Sequence, residues 1–361
     1  MMRPTIACIS VCLALCVSSA SAQTDSCRAV PKIEFVGITG RIQAHHEEMK
    51  PMCDKPFFAG ELRFGAQTTG RSYWQQKMKY PFMGVGFYAS EFQKKEIGHP
   101  LAVFGFMEIP AWRGSKSVVS TSWSLGLSFH FNEFDSVANP DNLAIGSDLN
   151  AFVGFSARYK YQLTERWELG GGLSFHHFSN GGMKMPNWGM NMLSVNIIAS
   201  YLPSKRRLEF HKPIAPEITK RYEFNVMCAT GICETKNKGR FYNTTLSMAL
   251  SRRMSYTRTL GLGLDVFYNG YVKEKYPKDE PVPLKYLTTP AVFANSDLIA
   301  GRLRINVGLG FYVAHVDEYS LPFYERAGVR FYPQKNLFAN VSIKANGGRA
   351  EFIEWGIGVT L

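Results

Sequence analysis

The chain has 361 residues and a formal net charge of +12 at pH 7, which becomes +11 if Arg3 leaves with an N-terminal signal. A basic balance fits nucleic acid, but the export signal read below argues against that class and favours phosphorylated lipid. Beyond residue 22 no run of about 18 apolar residues occurs, so helices do not carry the chain across a membrane.

Residues 1–22 read as a secretory signal: Arg3 supplies the charge, residues 6–17 are apolar, and Ala20-Ser21-Ala22 is a small-residue cleavage site. Its removal takes Cys8, Cys12 and Cys16 and leaves Cys27, Cys53, Cys228 and Cys233. An even number in an exported chain predicts disulfides, Cys228–Cys233 closing a tight loop and Cys27–Cys53 by elimination. His45 and His46 fall in a loop without an acidic cluster, so no metal site is predicted. No cofactor is predicted either.

From there to residue 203 the sequence alternates. In 119–132, Val119, Thr121, Trp123, Leu125, Leu127, Phe129 and Phe131 oppose serines, Gly126, His130 and Asn132. In 149–162 an apolar row from Leu149 to Tyr161 opposes Asn150, Gly154, Ser156, Arg158 and Lys160, with Phe152 the exception. Strand side chains alternate between faces, so apolar-out and polar-in rows predict an all-β transmembrane antiparallel barrel.

The stretch around 166–203 carries the chemistry. Two alternating runs, 166–178 and 191–203, flank an eleven-residue polar loop, Asn180 to Met190, and predict a hairpin. On the first strand Trp167, Leu169, Leu173 and Phe175 share the odd, greasy face, which His177 and Ser179 then join. On the returning strand Asn191 heads the odd row of Leu193, Val195, Ile197 and Tyr201. A hydroxyl, an imidazole and an amide thus gather at the loop end of the lipid-facing wall, the parts of a Ser-His-Asn nucleophile system. His176 points to the lumen. Glu168 has the wrong parity and lies at the other strand end. With an even strand number and both termini in the periplasm, the loop faces outward, beside the outer leaflet.

The run His177-x-Ser179-Asn180, followed by Pro186-Asn187-x-Gly189, resembles the outer-membrane lipid A 3-O-deacylases, also called acyloxyacyl-hydrolase-like proteins. The resemblance covers about residues 60–203. It implies an eight-stranded barrel that cuts an ester-linked acyl chain from lipid A, with His177 as base, Ser179 as nucleophile and Asn180 at the oxyanion site. Loop N–H groups at Gly181 or Gly182 are expected to help. The family pattern places a glutamate twelve residues after the serine, where this chain has Asn191. Asparagine there resembles outer-membrane phospholipase A instead, but that family's arginine three residues after the serine is replaced by Gly182.

Beyond the hairpin, residues 204–220 hold Pro213, Pro216 and several charges and read as a linker or a turn. Alternation returns in 242–250, 260–268, 303–313 and 353–361, with a weaker strand at 287–299. The total is about sixteen strands, with fourteen the alternative, and one barrel is expected because the second half repeats no site motif. Asn243-Thr244-Thr245 matches a glycosylation pattern by chance, since it sits in a strand. Lys184, Lys273 and Lys275 lie in outward loops, where solvated charge or contact with lipid A phosphates is expected. The functional expectation is an outer-membrane serine esterase acting on lipid A. A phospholipase A and a non-catalytic pore or adhesin with a relic site are the alternatives.

Overall fold

The structure, a computed structural model, describes residues 29–203, 209–235, 237, 239–277, 281–314 and 321–361. The expected signal and Cys27, and with it the Cys27–Cys53 pairing, lie outside these residues. Eight strands precede the linker: β1 (Val30–Ile42), β2 (Pro56–Gln67), β3 (Phe82–Glu91), β4 (Gly98–Arg113), β5 (Ser117–Phe131), β6 (Asn150–Gln162), β7 (Trp167–Ser179) and β8 (Met190–Tyr201). Eight follow it: β9 (Tyr222–Glu234), β10 (Arg240–Ser255), β11 (Arg258–Asn269), β12 (Thr288–Ala300), β13 (Leu303–Tyr312), β14 (Phe323–Phe331), β15 (Leu337–Asn346) and β16 (Arg349–Thr360).

Among the described residues sixteen strands form, but they close as two antiparallel barrels of eight, not as one. Residues 192–201 of β8 pair with 33–42 of β1, which seals the first sheet, and β9 pairs with β16 to seal the second. The expectation of a single barrel fails because alternation reports the two faces of a strand and says nothing about its partner. Residues 209–220 carry no strand, and His211 docks on the first barrel, its N–H donating to Thr69 O at 2.8 Å.

The expected Cys228–Cys233 disulfide is absent. Both residues sit in β9, five positions apart, with Cys228 outward and exposed and Cys233 inward and buried. Five extended residues separate them by about 17 Å, far beyond the roughly 7 Å that a disulfide tolerates.

Both interiors are filled by charge networks, as narrow eight-stranded barrels require. In the first, Arg63 pairs with Glu61 at 2.6 Å, Lys160 with Glu34 at 3.1 Å, and Arg158 reaches Glu34 and Glu108. In the second, Arg326 meets Asp265 and Glu354, each at 2.8 Å, and Arg304 meets Glu223 at 2.7 Å. Phe152, the exception to the sequence pattern, points inward to an apolar plug with Phe178, Phe104 and Tyr88. The outer walls are the reverse: Ile197 is 74% and Leu262 72% exposed, an arrangement that suits lipid rather than water.

The barrels touch at both ends. At the end away from the β7–β8 loop, Trp74 of the short helix Tyr73–Lys77 packs with Leu298 and Ala300 of β12. At the other end the second barrel meets that loop itself.

Candidate active site

In β7, His177 and Ser179 are two residues apart on the outward face, and His177 lies directly across from Asn191 of β8. The strand geometry therefore converges three side chains without any special loop. Asn191 Oδ1 is 2.7 Å from His177 Nδ1, and Ser179 Oγ is 2.9 Å from Nε2. An amide oxygen can only accept, so Nδ1–H donates to it and the Nε2 lone pair faces the serine hydroxyl. That tautomer is the one a general base needs. Ser179 is 6% exposed although it faces outward.

The loop 180–189 is fixed from several sides. Gly189, at φ +75°, leaves no room for a side chain: a Cβ there would stand 2.8 Å from His177 Cε1. Its N–H donates to Ala144 O at 3.0 Å, and the Trp188 N–H donates to Leu143 O. Asn187 Oδ1 accepts the Asn180 N–H at 3.0 Å. From the β1–β2 loop, the Gln43 N–H donates to Asn191 O at 2.7 Å. His45 Nε2 lies 3.0 Å from Trp188 O, and the His46 ring lies tilted against Trp188 with centroids 4.3 Å apart. Pro186 belongs to the same loop, its carbonyl close against Gly146.

The expected oxyanion residues differ in what their polar groups do. The fully buried Asn180 spends its side-chain amide inside the loop, donating to Ser147 Oγ and Lys184 O and accepting from the Gly182 N–H at 3.0 Å. The Gly181 N–H, among the described residues, has no hydrogen-bond partner.

Other expected positions fall outside the cluster. His176 is in the lumen, 3.2 Å from Glu61, and Glu168 pairs with Lys32 inside the barrel at the far end. Asn243 is fully buried in β10, which agrees with dismissing the glycosylation pattern. Lys184 makes an exposed ion pair with Glu133 at 2.7 Å, and Lys273 and Lys275 lie on the second barrel. Among the described residues no group of three or more His, Cys, Asp or Glu is placed to hold a metal ion.

Sequence reasoning missed three neighbours of this cluster. Ser147 and residues 143–144 arrive from the β5–β6 loop. Glu234, the last residue of β9, reaches across from the second barrel, its Oε2 accepting the Met185 N–H at 2.5 Å. Arg41 stands on the outward face of β1, paired in register with Leu193, two residues beyond Asn191. It is exposed and has no ion-pair partner among the described residues. None of these positions carries a local signal, because each is defined by pairing with a distant strand.

Comparison with known families matches residues 60–199 to the lipid A 3-O-deacylase (PagL) model and residues 221–361 to the acyloxyacyl hydrolase C-terminal domain. No curated protein matches the chain. Solved structures similar to it include the Pseudomonas putida toluene transporter TodX, at 11% identity, covering 94% of this chain and 89% of that one, TM-score 0.18. Acinetobacter baumannii OccAB3 is similar at 10% identity over 92% and 98% of the two chains, TM-score 0.20. The β domain of the Bordetella autotransporter BrkA has 10% identity over 92% and 98%, TM-score 0.25.

Proposed function

The chain belongs to the family of outer-membrane lipid A 3-O-deacylases and acyloxyacyl hydrolases, ester hydrolases of lipid A, and from that premise we propose a serine esterase. In this reading the enzyme removes an ester-linked acyl chain from lipid A in the outer leaflet. The observation that carries it is the hydrogen-bonded chain Asn191–His177–Ser179 on the lipid-facing side of β7 and β8.

His177 Nε2 takes the Ser179 proton as Oγ attacks the ester carbonyl. The tetrahedral oxyanion receives the free Gly181 N–H, while Asn180 shapes the turn that presents it. The intermediate collapses, the bond between the acyl carbon and the sugar oxygen breaks, and the departing alkoxide takes from His177 the proton that Ser179 gave up. Water, activated by the same imidazole, then releases the fatty acid and restores the serine. Asn191 keeps the imidazole in the productive tautomer and, unlike a carboxylate, adds no charge to the imidazolium.

Arg41 stands two register positions from Asn191 on the outward face of β1, and we assign it to a lipid A phosphate. Phospholipid is the second substrate to weigh, because an asparagine as third member resembles outer-membrane phospholipase A. The filled interiors of both barrels speak against a pore.

The test is covalent labelling of the purified, heat-modifiable protein with a lipophilic fluorophosphonate. The expected adduct is on Ser179 and disappears in His177→Ala. Labelling that is absent from the wild type, or unaffected by Ser179→Ala, contradicts the reading.

A further inference from the structure

A barrel of eight strands is already complete at β8, and Ser179, His177 and Asn191 all lie on it. The second barrel nevertheless contacts the loop that follows the serine. The Glu234 N–H donates to Gly182 O at 2.9 Å, and the Glu234 carboxylate accepts the Met185 N–H at 2.5 Å. Both bonds belong to one residue, whose side chain is 9% exposed. Beside them, Ile353 of β16 closes on Gly181. A Cβ on Gly181, which sits at φ +65°, would come within 2.4 Å of Ile353 Cγ1. Ile343 of β15, directly across from Ile353, lies behind it.

These contacts fall on the turn 181–185, which holds the Gly181 N–H, two residues after the nucleophile and without a hydrogen-bond partner among the described residues. Its near side is held by the first barrel through Asn180 and Asn187, and its far side by Glu234. A displacement of about 1 Å in such a group costs about 100-fold in rate. We propose that Glu234 is a positioning residue for the esterase reaction, so that the second barrel is a working part of the active site rather than a passive anchor. This rests on the serine-esterase reading above.

The carboxylate acts as a hydrogen-bond acceptor for Met185, and a glutamine side-chain oxygen can take that bond. In the Glu234–Arg240 pair at 3.3 Å the guanidinium faces solvent, with Arg240 61% exposed, so its loss matters less than that of the Met185 bond. The prediction is therefore a split between Glu234→Ala and Glu234→Gln.

The experiment measures kcat and KM of the full-length, heat-modifiable protein on a soluble short-chain p-nitrophenyl ester and on lipid A. Wild type, Ser179→Ala, Glu234→Ala, Glu234→Gln and Ile353→Ala are compared. Glu234→Ala is expected to lower kcat by about 10- to 100-fold on both substrates, with KM within about 3-fold. Glu234→Gln should recover at least half of the wild-type kcat. A loss confined to lipid A, or an equal loss in the Gln variant, overturns the positioning role. So does a Glu234→Ala enzyme that matches wild type while Ser179→Ala is inactive. An active Ser179→Ala enzyme instead refutes the esterase reading itself. If Glu234→Ala loses its heat-modifiable form, Ile353→Ala, which only removes hydrocarbon beside Gly181, carries the same prediction of reduced kcat on both substrates.

Discussion

The last hairpins of the two barrels occupy the same place in the same architecture and differ in what they display. At the rim of the first, His177 faces Asn191 across β7 and β8, and ten loop residues follow Ser179 before Met190. At the rim of the second, Ile343 faces Ile353 across β15 and β16, and only Gly347 and Gly348 join the strands. The interiors do not differ in this way: each is packed with buried arginine and carboxylate. The scaffold is thus specified from within, and the chemistry is set by a few outward side chains at one rim. That is how one barrel can carry the triad while a similar neighbour braces the loop beside it.

The largest expected effects lie at the rim. Ser179→Ala and His177→Ala should each lower ester hydrolysis by roughly 10^4–10^6-fold with the fold intact, as measured on heat-modifiable protein. Asn191→Ala should cost less, and Asn191→Asp or Asn191→Glu should keep substantial activity, since either carboxylate accepts the same imidazole N–H. A silent Asn191→Ala beside two dead variants would reduce the site to a dyad.

The interior comes next. Arg158→Ala in the first barrel and Arg326→Ala in the second each strand buried carboxylates, at a cost of about 3–5 kcal/mol. Urea titration of the heat-modifiable form should show both midpoints falling by similar amounts. A large drop for one barrel alone would undo the claim that the interiors play the same part.

The smallest effect belongs to Arg41. Arg41→Ala should lower kcat/KM about tenfold on lipid A and leave a soluble ester unaffected. Equal turnover of lipid A by the variant would remove Arg41 from the substrate site.

Much of this was legible in the sequence, for a physical reason. A barrel strand writes its two faces as alternate residues, so the strands, the lumenal position of His176 and the outward position of His177 and Ser179 could be read directly. Asn191 was legible because it lies across the same hairpin. Closure was not, since the pairing of β8 with β1 links residues more than a hundred positions apart and has no local trace. For the same reason Glu234, 49 residues from Met185, gave no sign of its role. The cysteines misled because an apparent loop was a strand, and strand parity put Cys228 and Cys233 on opposite faces. Phe152 broke the pattern because the lumen, though mainly charged, holds an aromatic plug near the site end.

The central claim, that Ser179 cleaves an acyl ester of lipid A, is tested most directly by mass spectrometry of lipid A and phospholipid incubated with purified protein. The wild type should yield lipid A lighter by one ester-linked acyl chain, together with the free fatty acid, and Ser179→Ala should leave lipid A whole. Unchanged lipid A with the wild type, or lyso-phospholipid as the only product, would contradict it.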